Sequence, residues 1–223
     1  MLSTETVWNR RDTQDEIISE RAYNLTIGAV LLWGFAVNAW MVENINPAPI
    51  IEFRAESPWL FLGAYFVSII AGTMIYSKSD NPGISFLGYN FIVLPLGVVL
   101  VGMLPFFDAS VVSRAFFATA GITGVMMMLG TAYPKVFLGM GRALFIALIA
   151  TMVVEFGLYL FTGSVPGVFD WIVVLLFSGY IGYDWARAQA LPKTYDNAVD
   201  CAASLYIDIV ILFMRLLRIF SRR

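Results

Sequence analysis

The chain has 223 residues, 59% of them hydrophobic and 13% charged, with a mean hydropathy of +0.77 and a formal charge of −2. Soluble domains sit near half apolar and a quarter charged, so lipid is the expected solvent around most of this chain. No basic face is available to bind nucleic acid. The sequence contains no histidine, which removes the usual metal ligand, the commonest general base and the ordinary near-neutral pH switch together. Any response to pH must then come from carboxylates. The single cysteine, Cys201, lies in an apolar run and reads as a small core thiol.

In chain order, residues 1–21 form a polar N-terminal segment without the pattern of a cleavable signal, so the first hydrophobic run is expected to stay as a membrane span. Runs of about 20 apolar residues, enough to cross roughly 30 Å of hydrocarbon, fall at 22–42, 58–77, 84–106, 110–131, 136–161, 166–189 and 197–220. Their breaks carry turn chemistry: Asn46-Pro47-Ala48-Pro49, Ser57-Pro58, Asn81-Pro82-Gly83, Tyr133-Pro134, Gly163 to Gly167, and Pro192 to Asn197. Lipid cannot satisfy backbone groups, and the runs lack the alternation of barrel strands, so these segments are expected to be helices. The reading is an all-α polytopic membrane protein. It has seven transmembrane helices in a single domain over 22–220 and a basic tail at 221–223. Gly121, Gly124 and Gly130, with Ala118 and Ala120, and Gly139 and Gly141 are expected at close helix contacts.

Lys and Arg in the short loops set the orientation. With a cytoplasmic N-terminus that side receives Arg10, Arg11, Arg21, Lys78, Lys135, Arg142, Arg187 and Lys193, against Arg54 and Arg114 opposite. The N-terminus is therefore expected in the cytoplasm, and the short loops favour a bacterial inner membrane. Arg215, Arg218, Arg222 and Arg223 lie outside if the last segment crosses and inside if it re-enters.

Ionisable groups in mid-membrane cost about 2.5–3.5 kcal/mol and are functional candidates by default. Four acids qualify: Glu155, Asp184, Asp200 and Asp208. On the last segment Asn197, Asp200, Ser204, Asp208, Arg215 and Arg218 fall within about 80° of one another on a helical wheel. This polar seam on an apolar body must face protein or water. Segments six and seven form a hairpin that brings Asp184 towards the seam. A symmetric hairpin would match it in depth with Asp200, and a staggered one with Asp208, about 12 Å farther along. Two carboxylates brought together at low dielectric tend to share a proton, which makes a pH-sensitive latch without histidine. Fully deprotonated, the same oxygens suit a hard cation such as Ca2+.

The runs Phe177-Ser178-Gly179-Tyr180-Ile181-Gly182-Tyr183-Asp184 and Ser204-Leu205-Tyr206-Ile207-Asp208-Ile209-Val210-Ile211-Leu212-Phe213, followed by Leu216-Leu217-Arg218-Ile219-Phe220, resemble the two signature stretches of the Bax-inhibitor-type membrane family. The resemblance implies six helices surrounding a central seventh. It also implies a pH-sensitive passive leak for cations, calcium foremost, gated by the aspartate pair Asp184 and Asp208, where calcium itself would bind in passing. On this reading Asp200, Glu155 and Ser204 are candidate ion-pathway groups. Some relatives carry an acid and an arginine in the second helix that contribute to gating, but Leu60 to Tyr76 has neither. Glu155 is then a candidate for a compensating charge or a buried structural carboxyl. The alternative from another class is a regulatory membrane protein that restrains a membrane protease or stress-response partner, as some bacterial relatives do. No enzyme and no cofactor are expected. Intramembrane aspartyl proteases match Tyr183-Asp184 but require Gly-x-Gly-Asp where this chain has Leu205-Tyr206-Ile207-Asp208, and the last helix offers no lysine for a retinal Schiff base.

Overall fold

The computed structural model describes residues 16–222, and among them it contains helices and no strand. The polar stretch before Glu16, with Arg10 and Arg11, and the terminal Arg223 lie outside the described residues. The helices are α1 (Glu20–Asn44), α2 (Pro47–Glu56), α3 (Pro58–Lys78), α4 (Pro82–Met103), α5 (Ala109–Ala132), α6 (Pro134–Thr162), α7 (Val168–Ala190) and α8 (Tyr195–Ser221). A short 3-10 turn, Leu104–Phe106, extends α4.

The breaks read from the sequence are the helix boundaries. Pro47, Pro58, Pro82 and Pro134 each open a helix, because proline lacks the N–H that would be orphaned there and has its φ already set. Asn46 caps α2 through the Ala48 amide at 3.0 Å, and Asn81 caps α4 through Gly83 at 2.9 Å. Helix α6 ends where Gly163 adopts φ 71°, the left-handed cap that a Cβ would strain.

Six helices are long and apolar enough to cross a membrane: α1, α3, α4 with its 3-10 turn, α5, α6 and α7. Their outer faces are strongly apolar; α6 alone exposes Val136, Phe145, Ile149, Val153, Phe156 and Leu160, a surface suited to lipid and not to water. The seventh expected segment forms α8, which carries Asp196, Asp200, Asp208, Arg215 and Arg218 and stands apart from those six. It is buried along nearly its whole length, on its apolar faces (Ala202, Leu205, Val210, Leu212, Leu217) as well as on the seam. Helix α2 had no counterpart among the expected segments. Its Asn46-Pro47-Ala48-Pro49 start reads as a turn, and at 10 residues it is too short to span.

The chain packs as two compact units, which share α8. In the first, α1 to α4 associate with α8 up to Tyr206. Helices α3 and α4 touch backbone to backbone at Gly72 and Gly88, where a Cβ on Gly72 would lie 2.5 Å from the Gly88 carbonyl oxygen. Tyr89 donates to the Val30 carbonyl at 3.0 Å and meets the Tyr206 ring edge-on, while Asn38 donates its amide to the Tyr206 hydroxyl. Ser85 donates to Asp196 at 2.6 Å, and Cys201 is buried against the Tyr23 hydroxyl. Ahead of α8, Lys193 lies 4.5 Å over the Tyr23 ring, and burial holds its ammonium below the usual lysine range.

In the second unit α5, α6 and α7 pack with α8 from Ile207 onward. A Cβ on Gly130 would sit 2.6 Å from the Gly182 carbonyl oxygen, and one on Gly141 would sit 2.7 Å from the Tyr183 ring. Those two expected glycine contacts exist. Gly121, Gly124 and Gly139 face open space, because a glycine run on one helix marks a contact only on the face another helix reaches. Gly130→Val is accordingly expected to destabilise the protein by about 2–3 kcal/mol, since the obstacle is backbone and cannot move aside. Gly124→Val on the same helix is expected to stay within about 0.5 kcal/mol. Thermal unfolding of the two variants in detergent checks the pair, and equal stabilities would contradict this packing.

Candidate functional site

Helix α7 places Asp184 six residues before its end, and α8 places Asp208 thirteen residues after its start. The two carboxyl groups lie close enough to act on each other electrostatically. Both residues are largely shielded, with the Asp184 side chain 12% exposed and Asp208 6% exposed. Two carboxyl groups this close at low dielectric repel each other when both are ionised. Arg187, one turn along α7, holds its guanidinium 3.9 Å from Asp184. Tyr180, one turn back on α7, lies within electrostatic reach of both aspartates, and the second oxygen of Asp208 has no hydrogen-bond partner.

The partner of Asp184 is thus Asp208 and not Asp200, the depth match of a symmetric hairpin. The offset, six residues on one helix against thirteen on the other, is a stagger of about 10 Å. Asp200 and Ser204 belong to the other unit; Ser204 donates to the Asp200 carbonyl at 3.4 Å, and Asp200 is 6% exposed. Among the described residues no three acids or cysteines converge as a metal site. Two carboxylates fall short of the six to eight oxygens that Ca2+ takes.

A second cluster fills the opposite end of α7. Glu155 on α6 forms a bidentate pair with Arg215 of α8, at 2.7 and 2.8 Å. Arg215 also donates to Asp170 at 3.0 Å, Arg222 approaches the other Asp170 oxygen at 2.9 Å, and Arg218 stands off at 3.8 Å. Asp170 lies in the first turn of α7, where the helix dipole favours an anion, and its side chain is only 4% exposed. Its partners at 215, 218 and 222 share one face of α8. Helix α8 therefore runs antiparallel to α7, with Asp208 beside Asp184 and the arginines beside Asp170. Glu155, a candidate pathway group by sequence, is engaged by Arg215.

Sequence reasoning missed Asp170, Arg187 and Tyr180 as site neighbours. Asp170 looks like an ordinary polar flank beside the Gly163–Gly167 turn. The available signal was the row of arginines at i, i+3 and i+7 on an otherwise apolar helix, which calls for a buried counter-charge.

These features define a polytopic helical membrane protein with a shielded carboxyl pair on neighbouring helices. A family model described as "Inhibitor of apoptosis-promoting Bax1" matches residues 16–223, and the chain belongs to that family. It is similar to a protein of Helicobacter pylori strain J99, 30% identical over 217 residues that cover 92% of this chain and 87% of that one. An uncharacterized membrane protein of Streptococcus pyogenes serotype M1 is 28% identical over 184 residues, 78% of this chain and 79% of the other. The inner membrane protein YbhL of Escherichia coli K12 is 24% identical over 213 residues, covering 89% and 88%. With six apolar helices and these relatives, the chain is an integral membrane protein of the inner-membrane type.

Proposed function

We propose that the protein is a pH-sensitive passive leak for cations, calcium foremost, whose closed state is latched by the Asp184–Asp208 pair. The observation that supports this reading above all is two shielded carboxyl groups close together on neighbouring helices, a pair able to share a proton, with the Arg187 guanidinium 3.9 Å from Asp184. Loss of the proton sets two anions against each other. Gain of a second removes the charge-assisted hydrogen bond. Either change loosens α7 from α8, and the deprotonated oxygens then offer a hard cation its ligands. In this proposal α8 is a seventh, centrally placed crossing helix, as its burial on every face supports. The mechanism calls for no covalent chemistry and no cofactor.

Purified protein in liposomes, assayed for Ca2+, K+ and Na+ flux across pH, tests the proposal. The expected result is a Ca2+ flux that varies with pH and needs no partner. Protein that is correctly inserted and folded yet passes no ion at any pH would refute the leak and favour the regulatory reading, in which the chain acts by restraining a membrane protease.

A further inference from the structure

Among the described residues, the cluster around Asp170 is not electrically balanced. Arg215, Arg218 and Arg222 face two carboxylates, Glu155 and Asp170, which leaves one positive charge over. That excess is not spread evenly. Arg215 uses both terminal nitrogens on Glu155 and Asp170 and is 17% exposed, whereas Arg218 and Arg222 are 47% and 49% exposed. Arg222 lies against Gly167, where the missing side chain makes room for its guanidinium. The turn 163–167 between α6 and α7 carries no charged residue that could absorb the surplus.

Exposed apolar residues flank the turn against which Arg222 lies. Phe161 at the end of α6 is 91% exposed, and Val168 and Trp171 in the first turn of α7 are 59% and 50% exposed. An indole at the end of an apolar helix sits where lipid headgroups meet hydrocarbon. Arg218 and Arg222 stand one helical turn apart, about 6 Å between their Cβ atoms, so the free edges of both can reach one phosphate. Guanidinium groups pair with phosphate through parallel hydrogen bonds. A soluble anion would use the charge and leave the exposed apolar flank without a partner, while a phospholipid uses both.

We propose that the exposed edges of Arg218 and Arg222, beside the turn flanked by Phe161, Val168 and Trp171, bind the phosphate of an anionic phospholipid whose acyl chains lie along α6 and α7. The site is independent of any ion flux. Its occupant completes the charge balance of the cluster that holds α8 against α6 and α7.

Native mass spectrometry and thermal unfolding of the full chain, delipidated in neutral detergent and titrated with phosphatidylglycerol, phosphatidylcholine or inorganic phosphate, test this. Phosphatidylglycerol is expected to be retained and to raise the unfolding temperature above that with phosphatidylcholine. At about 1 kcal/mol per arginine near an anionic lipid surface, Arg218→Gln should weaken binding on the order of fivefold and Arg218→Gln/Arg222→Gln on the order of 30-fold. Arg114→Gln, at an exposed position at the start of α5, should leave it unchanged. Arg218→Gln alone decides the matter if the double variant does not fold, because Arg218 is the arginine set farthest from Asp170. Equal retention of the two lipids, or phosphatidylglycerol binding unaffected by Arg218→Gln, overturns the proposal. A stabilisation reproduced in full by inorganic phosphate overturns the lipid assignment and leaves a site for a free anion.

Discussion

Asp170→Ala is expected to lower the stability of the folded protein by about 2–4 kcal/mol, the cost of stripping a buried charge from its partners, reduced because two of the arginines are half in solvent. The variant leaves Arg215, Arg218 and Arg222 on one face of α8 with Glu155 as their remaining carboxylate. For a chain of this length the change corresponds to roughly 10 °C in unfolding temperature. Glu155→Gln should cost less, about 1–2 kcal/mol, because Arg215 keeps its bond to Asp170. Glu52→Gln, exposed on α2, serves as the neutral control. Thermal unfolding in detergent measures all three, and an Asp170→Ala protein that melts with the wild type would remove the cluster from any role in holding α8.

The second large effect concerns the aspartate pair and rests on the proposed leak. A single proton equilibrium can change a population by up to about tenfold per pH unit, and the flux of the wild-type protein should approach that slope on the flanks of the pH range in which the pair holds one proton. Asp184→Asn and Asp208→Asn should each flatten it, since either leaves no carboxyl pair to share a proton. The double variant should add little to either single change because all three act on one contact. Asp200→Asn, two turns away on the same helix, should keep the slope. A pH profile unchanged in both single variants would take the pair out of the mechanism and turn attention to Asp200.

Much of the fold was legible because a bilayer imposes a simple rule: an apolar run must be helical, and a proline with a capping asparagine says where it begins. Seven apolar runs became seven helices within a few residues. Helix α2 was not legible, because Pro47 and Pro49 start a short helix with the same letters that make a turn. Glycine packing was half legible. Gly130 and Gly141 resemble Gly124 and Gly139 in sequence, and only the position of α7 separates them. At the site, residue chemistry pointed to Asp184 and the seam on α8. The choice of Asp208 over Asp200 depended on a stagger that no local pattern encodes, and it was the family resemblance that carried it. The cluster at Asp170 needed the third dimension, since its five charges come from three helices spread over 68 residues, from Glu155 to Arg222.

Helix α8 belongs to both units, and the change of membership falls between Tyr206 and Ile207. On one side of that point Tyr206 accepts the Asn38 amide; on the other Asp208 meets Asp184. Within the second unit Asp208 meets Asp184 and Arg215 meets Asp170, two anchors seven residues apart on a rod that turns 100° and rises 1.5 Å per residue. One residue inserted or deleted between them would leave the helix as good as before, yet would swing the arginine row about a quarter turn out of phase with Asp208. The chain can therefore drift in the composition of this helix far more freely than in its length. Among diverging copies, the spacing from Asp208 to Arg215 is the quantity that inheritance has to keep.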